Sequence, residues 1–220
     1  LQGYVTYDAA FKLEQAGKDV EVKSGRARKK LFQYVALHPT SIAQKVTIVI
    51  EHFREHVMHL LNGQAKAMVV TDSRKAAVRY KREFDKYMAK AGYTDFKALV
   101  AYSGTISDTE YGIKDADEGD LNGGKPKLKD DLIKEAFNTD EYRVLLVANK
   151  FQTGFDQPLL CAMYVDKRLD DVTAVQTLSR LNRMYPGKET TFVLDFRNEA
   201  KNVLKAFMPF YRTARLSGIT

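Results

Sequence analysis

A single cysteine, Cys161, in 220 residues leaves neither a disulfide framework nor a cysteine metal site to consider. It stands in an apolar run and reads as buried filler, which suits a reducing cytosol. Long hydrophobic runs are missing as well. None approaches the roughly 20 residues that cross a bilayer, and no signal peptide opens the chain, so the expected setting is cytoplasmic, with no membrane contact. A working P-loop is a third absence. Gly119-Asp-Leu-Asn-Gly-Gly124-Lys125 fits G-x-x-x-x-G-K, but Pro126 stands where a Ser or Thr hydroxyl would meet magnesium. The acidic Asp115-Ala-Asp-Glu-Gly119 in front of it cannot be the buried strand that a P-loop follows. The apolar strands ending at Asp166 and Asp195 continue Lys-Arg and Phe-Arg, so neither supplies the acidic box that accompanies a P-loop.

What is present is positive charge laid over alternating strands and helices. A net charge of +7 and a pI near 9.3 favour an anionic partner, a trait shared with many proteins that bind nothing negative. At 45% hydrophobic residues the chain can bury a real core, as one large domain or a domain plus an extension. The start at Leu1 rather than methionine suggests a piece of something longer. Residues 1–38 read as an extension or linker, mostly helical, with a short strand at Tyr4-Val-Thr-Tyr7 and a basic cluster at Ser24-Gly-Arg-Ala-Arg-Lys-Lys30. Such a cluster can track phosphates but is more often a solvated linker.

Pro39 closes that extension, and residues 39–220 read as the main domain. Ser41 is a candidate cap for a long amphipathic helix through Val46, Val49, Ile50, Phe53, Val57, Leu60 and Leu61, stopped near Asn62-Gly63. His52 and His56 stand i, i+4, a spacing that can bind a metal, but without a third ligand a solvated face is expected and no metal site is assigned. Ala67 to Thr71 reads as a strand, followed by a helix capped by Asp72 or Ser73 and stopped at Gly92. Lys97 to Tyr102 is a second strand, leading into Ser103-Gly104-Thr105. Ser107 to Lys127 is acidic, then glycine-rich, with no apolar period, and predicts an exposed loop. A short helix over Leu128 to Phe137, with Leu132, Ile133 and Ala136 inward, returns the chain to the apolar strand Arg143 to Ala148. Strands at Cys161 to Asp166 and Thr191 to Asp195 follow, then a closing helix from Glu199 to Tyr211 with Val203, Leu204, Phe207 and Phe210 on one side. This alternation predicts an α/β fold built on a doubly wound parallel sheet with right-handed crossovers.

Two stretches carry candidate chemistry. In Val172-Thr-Ala-Val-Gln-Thr-Leu-Ser-Arg-Leu-Asn-Arg183, helical spacing would put Gln176, Arg180 and Arg183 along one side, with Val172, Val175, Leu178 and Leu181 opposite. Two anchored guanidiniums suit a polyphosphate, because each fork is always charged and binds oxygens bidentately. A solvated basic face is the plainer alternative. The other stretch, Asn149-Lys-Phe-Gln-Thr-Gly-Phe-Asp156, follows a buried strand, and ligands of open α/β sheets sit beyond the carboxyl ends of the strands. There Gly154 would let backbone approach a ligand, and Asp156 could orient an arginine or accept from a ribose hydroxyl.

Gln176-x-x-Ser179-Arg180-x-x-Arg183 resembles motif VI of superfamily 2 helicases and translocases, and Gly154-Phe-Asp156 resembles their motif V. Order and intervening strands are similar to the second RecA-like motor domain of that superfamily. Leu145 to Asp156 and Leu178 to Arg183 look most like the R (motor and nuclease) subunit of type I restriction enzymes, and the resemblance runs from about Leu37 to Phe210. It implies that Arg180 and Arg183 act as arginine fingers, with Gln176, Gly154 and Asp156 on the nucleotide. It further implies nucleic-acid backbone contacts from Thr71, Ser73 and Arg74, from Ser103, Gly104 and Thr105, and from Asn149, Lys150 and Thr153. ATP and Mg²⁺ would be bound mainly by a first motor domain, with no cofactor expected on these residues alone. The implied partners are double-stranded DNA, the first RecA-like domain and nuclease domain of the same chain, and methyltransferase and specificity subunits. Ser179 replaces the commoner glycine, and Asn149-Lys150 stands where many members have Thr-Asp. A non-catalytic RecA-like binding module, or the second motor domain of a chromatin-type remodelling ATPase, are the alternatives.

The missing P-loop predicts that the isolated chain neither hydrolyses ATP nor binds it tightly. Isothermal titration with ATP and magnesium tests this, and micromolar affinity, or turnover above a heat-killed control, would contradict it.

Overall fold

The computed structural model describes residues 4–6, 34–151, 155–203, 205–206 and 208. Its strands are β1 (Tyr4–Thr6), β2 (Lys66–Thr71), β3 (Lys97–Ala101), β4 (Ile106–Asp108), β5 (Ile113–Ala116), β6 (Tyr142–Ala148), β7 (Leu160–Asp166) and β8 (Phe192–Asp195). Six of them form one sheet in the order β1-β8-β7-β2-β6-β3, with every neighbouring pair parallel. The central strands β2, β6 and β7 are continuous apolar runs because both of their faces are covered. On one face Val69, Leu146 and Tyr164 pack with α1 (Pro39–His52) and α2 (Arg74–Ala91). On the other, Met68, Val70, Leu145, Val147 and Val165 meet Ile133, Phe137 and Leu178. The expected doubly wound parallel class is the one observed. Tyr4–Thr6 pairs with β8, so part of the 1–38 stretch is built into the sheet; its basic cluster lies outside the described residues.

Local chemistry accounts for the helix ends. His38, not Ser41, caps α1: its Nδ1 accepts from the Thr40 N–H at 3.3 Å, while Ser41 is buried within the first turn. Pro39 then takes the first helical position, where its missing N–H costs nothing. The helix continues through a π turn at Phe53–Val57 and stops where Leu61 and Asn62 take left-handed backbone angles. Ser73 caps α2, accepting from the Ala76 N–H, and Gly92 ends it with φ of 71°.

The segment expected as an exposed loop is ordered. β4 and β5 form an antiparallel ribbon, and α3 (Glu118–Asn122) starts from a capping box of Asp117 and Asp120. Residues 119–122, the first turns of the P-loop look-alike, are thus helical rather than a phosphate-wrapping loop. This helix covers the free edge of β3: the Asn122 amide accepts from the Val100 N–H and donates to the Val100 carbonyl, both at 2.8 Å, as a neighbouring strand would. The next helix, α4, runs only over Asp131–Phe137, and it buries Ile133 and Phe137, with Leu132 and Ala136 partly covered.

Below the carboxyl ends of the strands lies a buried ionic cluster. Asp166, the last residue of β7, accepts from Lys45 Nζ of α1 at 2.9 Å on both oxygens, from the Tyr80 hydroxyl of α2 at 2.9 Å, and from Arg197 Nε beyond β8 at 2.8 Å. Burial alone would raise the Asp166 pKa, but the Lys45 and Arg197 charges hold it below the usual carboxylate value. At the opposite end of the sheet Lys66 is buried without a carboxylate, donating to the Thr139 and Tyr142 carbonyls at 2.8 and 2.9 Å. Burial, then the charge of Arg143, lowers its pKa to about 8, with Asp140 opposing.

Removing one partner of a buried cluster strands the others, so Asp166→Ala should cost about 3–5 kcal/mol in urea denaturation; a loss below about 1 kcal/mol would mean the cluster is not a keystone. For Lys66 the buried charge is itself a cost. Its folded pKa lies below the ordinary lysine value of about 10.4, so across that window the unfolded chain binds more protons and stability rises with pH. The wild-type melting temperature should therefore gain on Lys66→Met as pH goes from about 7.5 to about 9.5. Parallel pH curves for the two proteins would contradict this.

Candidate functional site

The helix carrying the arginines is shorter than its sequence suggests. α5 (Asp171–Leu178) starts at Asp170, whose carboxylate accepts from the Thr173 N–H, and gives way to a 3-10 turn at Ser179–Asn182. Arg183 follows in extended backbone, with ψ of 125°. Gln176, Arg180 and Arg183 therefore do not form one α-helical stripe, because the tighter turn rotates everything after Leu178. Of the expected buried side, Leu178 and Leu181 are buried and Val175 partly so, joined by Ala174 and Thr177, whereas Val172 is 64% exposed.

Arg180 is half-buried. Its Nη1 donates to the Phe155 carbonyl at 2.8 Å, and its Nε, also buried, has no acceptor among the described residues. Burial, then the charge of Arg183, lowers its pKa from the ordinary value. Arg183 is exposed and pairs with Asp156 at 3.1 Å. Gln176 is exposed on α5. Gly154 and Thr153 lie outside the described residues.

The loops expected to meet nucleic acid follow β2, β3 and β6, all at the carboxyl end of the sheet. Two of them are joined: Arg74 Nη1 donates to the Ser103 and Thr105 carbonyls at 3.1 and 3.3 Å. Gly104 is needed between them. Its φ is +76°, and a Cβ there would stand 3.0 Å from the Arg74 guanidinium. Thr71 is buried and its hydroxyl donates to the Val147 carbonyl at 2.9 Å, while Ser73 caps α2, so both side chains already have structural roles. Asn149, at φ of 57°, accepts from Lys167 Nζ at 2.9 Å. Lys150 donates to Glu118 Oε1 at 2.5 Å and to Asp130 Oδ1 at 2.9 Å. Burial would lower the Lys150 pKa, but its bonds to these two carboxylates raise it.

Sequence reasoning missed the residues that hold these loops. Glu118 is buried and accepts from Lys150, from the Tyr102 N–H and from the Asp130 N–H, tying the β3 and β6 exits together. Lys45, inside an apolar helix pattern, and Arg197, two residues beyond a strand, carried a signal: an unexplained charge next to an apolar run. The His52 and His56 rings lie 4.9 Å apart, tilted at 54°, and His52 Nδ1 lies 2.9 Å from the Tyr164 hydroxyl. Among the described residues no group of three His, Cys, Asp or Glu is placed to hold a metal. No helix among them is long and apolar enough to cross a membrane.

Residues 125–198 match the family model T1R_D3-like, described as type I restriction enzyme subunit R domain 3. Over 186 residues the chain is 30% identical to the MjaVIIP endonuclease subunit of Methanocaldococcus jannaschii, provisionally named a type I restriction enzyme; this covers 76% of the chain and 16% of that protein. The type I restriction enzyme SsaAORF53P endonuclease subunit of Staphylococcus saprophyticus is 26% identical over 206 residues, 79% of this chain and 21% of that one. Among solved structures, the ATP-dependent type ISP restriction-modification enzyme LlaBIII bound to DNA overlays with a TM-score of 0.46 at 14% identity, covering 87% of this chain and 11% of the other. The chain thus spans between 16% and 21% of the length of the two curated relatives. By sequence it is a homologue of the endonuclease subunits of type I restriction enzymes, and residues 125–198 carry the domain 3-like part of subunit R.

Proposed function

We propose that this chain is the second RecA-like motor domain of an ATP-dependent DNA translocase, the motor half of a type I restriction enzyme R subunit. The observation that carries the reading is the pairing of Arg180 with Arg183. Burial, then the charge of Arg183, lowers the pKa of Arg180, which meets a carbonyl rather than a carboxylate. A half-buried cation without a carboxylate is disfavoured unless something anionic arrives, and a terminal phosphate would relieve it.

In the complete protein, ATP and Mg²⁺ would be held by the P-loop of a first motor domain packed against this one. Arg180 and Arg183 would reach the γ-phosphate and stabilise charge that grows on its oxygens during transfer. Asp156 would release Arg183 to it and recapture it afterwards, which makes their exposed ion pair a resting contact of small energy. Arg74, Ser103 to Thr105 and Asn149 would face the backbone of double-stranded DNA, and their linked loops would move as one block. Methyltransferase and specificity subunits would complete the assembly.

The two roles open to Arg183 are separable. In the full-length protein, Arg183→Ala should lower ATPase by about 10³ to 10⁵, the worth of an arginine finger elsewhere, with little change in the melting temperature of this chain. Leu178→Ala should do the reverse, costing roughly 2 to 5 kcal/mol by opening a cavity beneath α5. An Arg183→Ala protein that melts several degrees lower yet keeps near-normal ATPase would make the arginine structural.

A further inference from the structure

The exit of β7 carries a basic pair, Lys167-Arg168, whose backbone is clamped. Asn198, just beyond β8, donates from Nδ2 to the Lys167 carbonyl at 2.8 Å and accepts at Oδ1 from the Leu169 N–H at 3.0 Å. Its own position is set by Asp195, which accepts from the Asn198 N–H at 2.8 Å and from Nδ2 at 3.0 Å. A single amide that bonds both neighbours of a residue fixes the backbone on either side of it. Arg168 is that residue, and it is exposed.

Its place in the sheet matters as much. β2 lies between β6 and β7, so the three exits stand side by side, and Lys167 Nζ reaches Asn149 across them. Arg168 therefore extends the row formed by the Thr71 to Arg74 and Asn149–Lys150 exits.

We propose that Arg168 is a further DNA-backbone contact, taking one phosphate of the duplex on a mount held by Asn198 and Asp195. The proposal rests on the DNA-translocase reading above. A guanidinium fork suits phosphate oxygens, and a base already fixed by hydrogen bonds reduces the ordering cost of the contact. Neutralising one phosphate releases counterions, and that release is what a salt titration reads.

The test is fluorescence anisotropy of a fluorescein-labelled DNA duplex of mixed sequence, titrated with this chain from low to physiological salt. Lys90→Ala is the control. It removes the same charge from an exposed site at the last turn of α2, about 24 Å along the helix from Arg74. Arg168→Ala should weaken binding and make the slope of log K against log salt shallower by about 0.9, whereas Lys90→Ala should leave the slope alone. Arg168→Lys, which keeps the charge, should retain the slope and lose part of the affinity. Equal slopes for Arg168→Ala and Lys90→Ala, with wild-type binding intact, would overturn the Arg168 contact alone. Absence of any binding by the wild-type chain at low salt would overturn the DNA reading itself, and the contact with it.

Discussion

Asp166 is the carboxylate on which the two helix-bearing halves of one face converge. It closes β7, and its two oxygens take donors from α1, from α2 and from the segment after β8. Without a paired anion, Lys45 and Arg197 would be cations buried in a low-dielectric interior, at a cost of several kcal/mol each. With it, the carboxyl end of the sheet becomes a rigid platform. Arg197 also approaches Asp72 at 3.5 Å, so the platform reaches the first residue of the β2 exit.

A second layer of polar side chains carries that rigidity outward. Asn198 holds the β7 exit, Glu118 joins the β3 and β6 exits, and Arg74 joins the β2 and β3 exits. Each uses one side chain to bond several partners in different loops, which is how loops stay ordered without regular structure. The arginine pair stands apart from this order. It sits at the tightened end of α5 with one half-satisfied guanidinium and one on an exposed carboxylate, a region with spare binding capacity on a fixed scaffold.

Much of the fold was legible because long apolar runs and caps report local preference. β6 and β7 announce themselves as unbroken hydrophobic stretches, and Ser73 with Gly92 brackets α2. The ribbon of β4 and β5 was not legible, since two strands of three and four residues leave too few positions for a period to emerge. Nor was α3, a helix of five residues whose purpose, covering the edge of β3, depends on a partner 22 residues away. At the site, the pair Arg180 and Arg183 was evident from spacing, yet the turn into 3-10 geometry was not, because no glycine or proline in Ser179–Asn182 marks it. Lys45 and Asp166 are 121 residues apart, and only the packed sheet brings them together.

The central claim is that Arg180 and Arg183 complete a nucleotide site supplied from another domain. The most direct measurement is a structure of the full-length protein with magnesium and a non-hydrolysable ATP analogue. The account predicts both guanidiniums within hydrogen-bond reach of the γ-phosphate, with Arg183 released from Asp156. A bound analogue whose γ-phosphate is met by other groups, while Arg180 stays on the Phe155 carbonyl and Arg183 on Asp156, would contradict it.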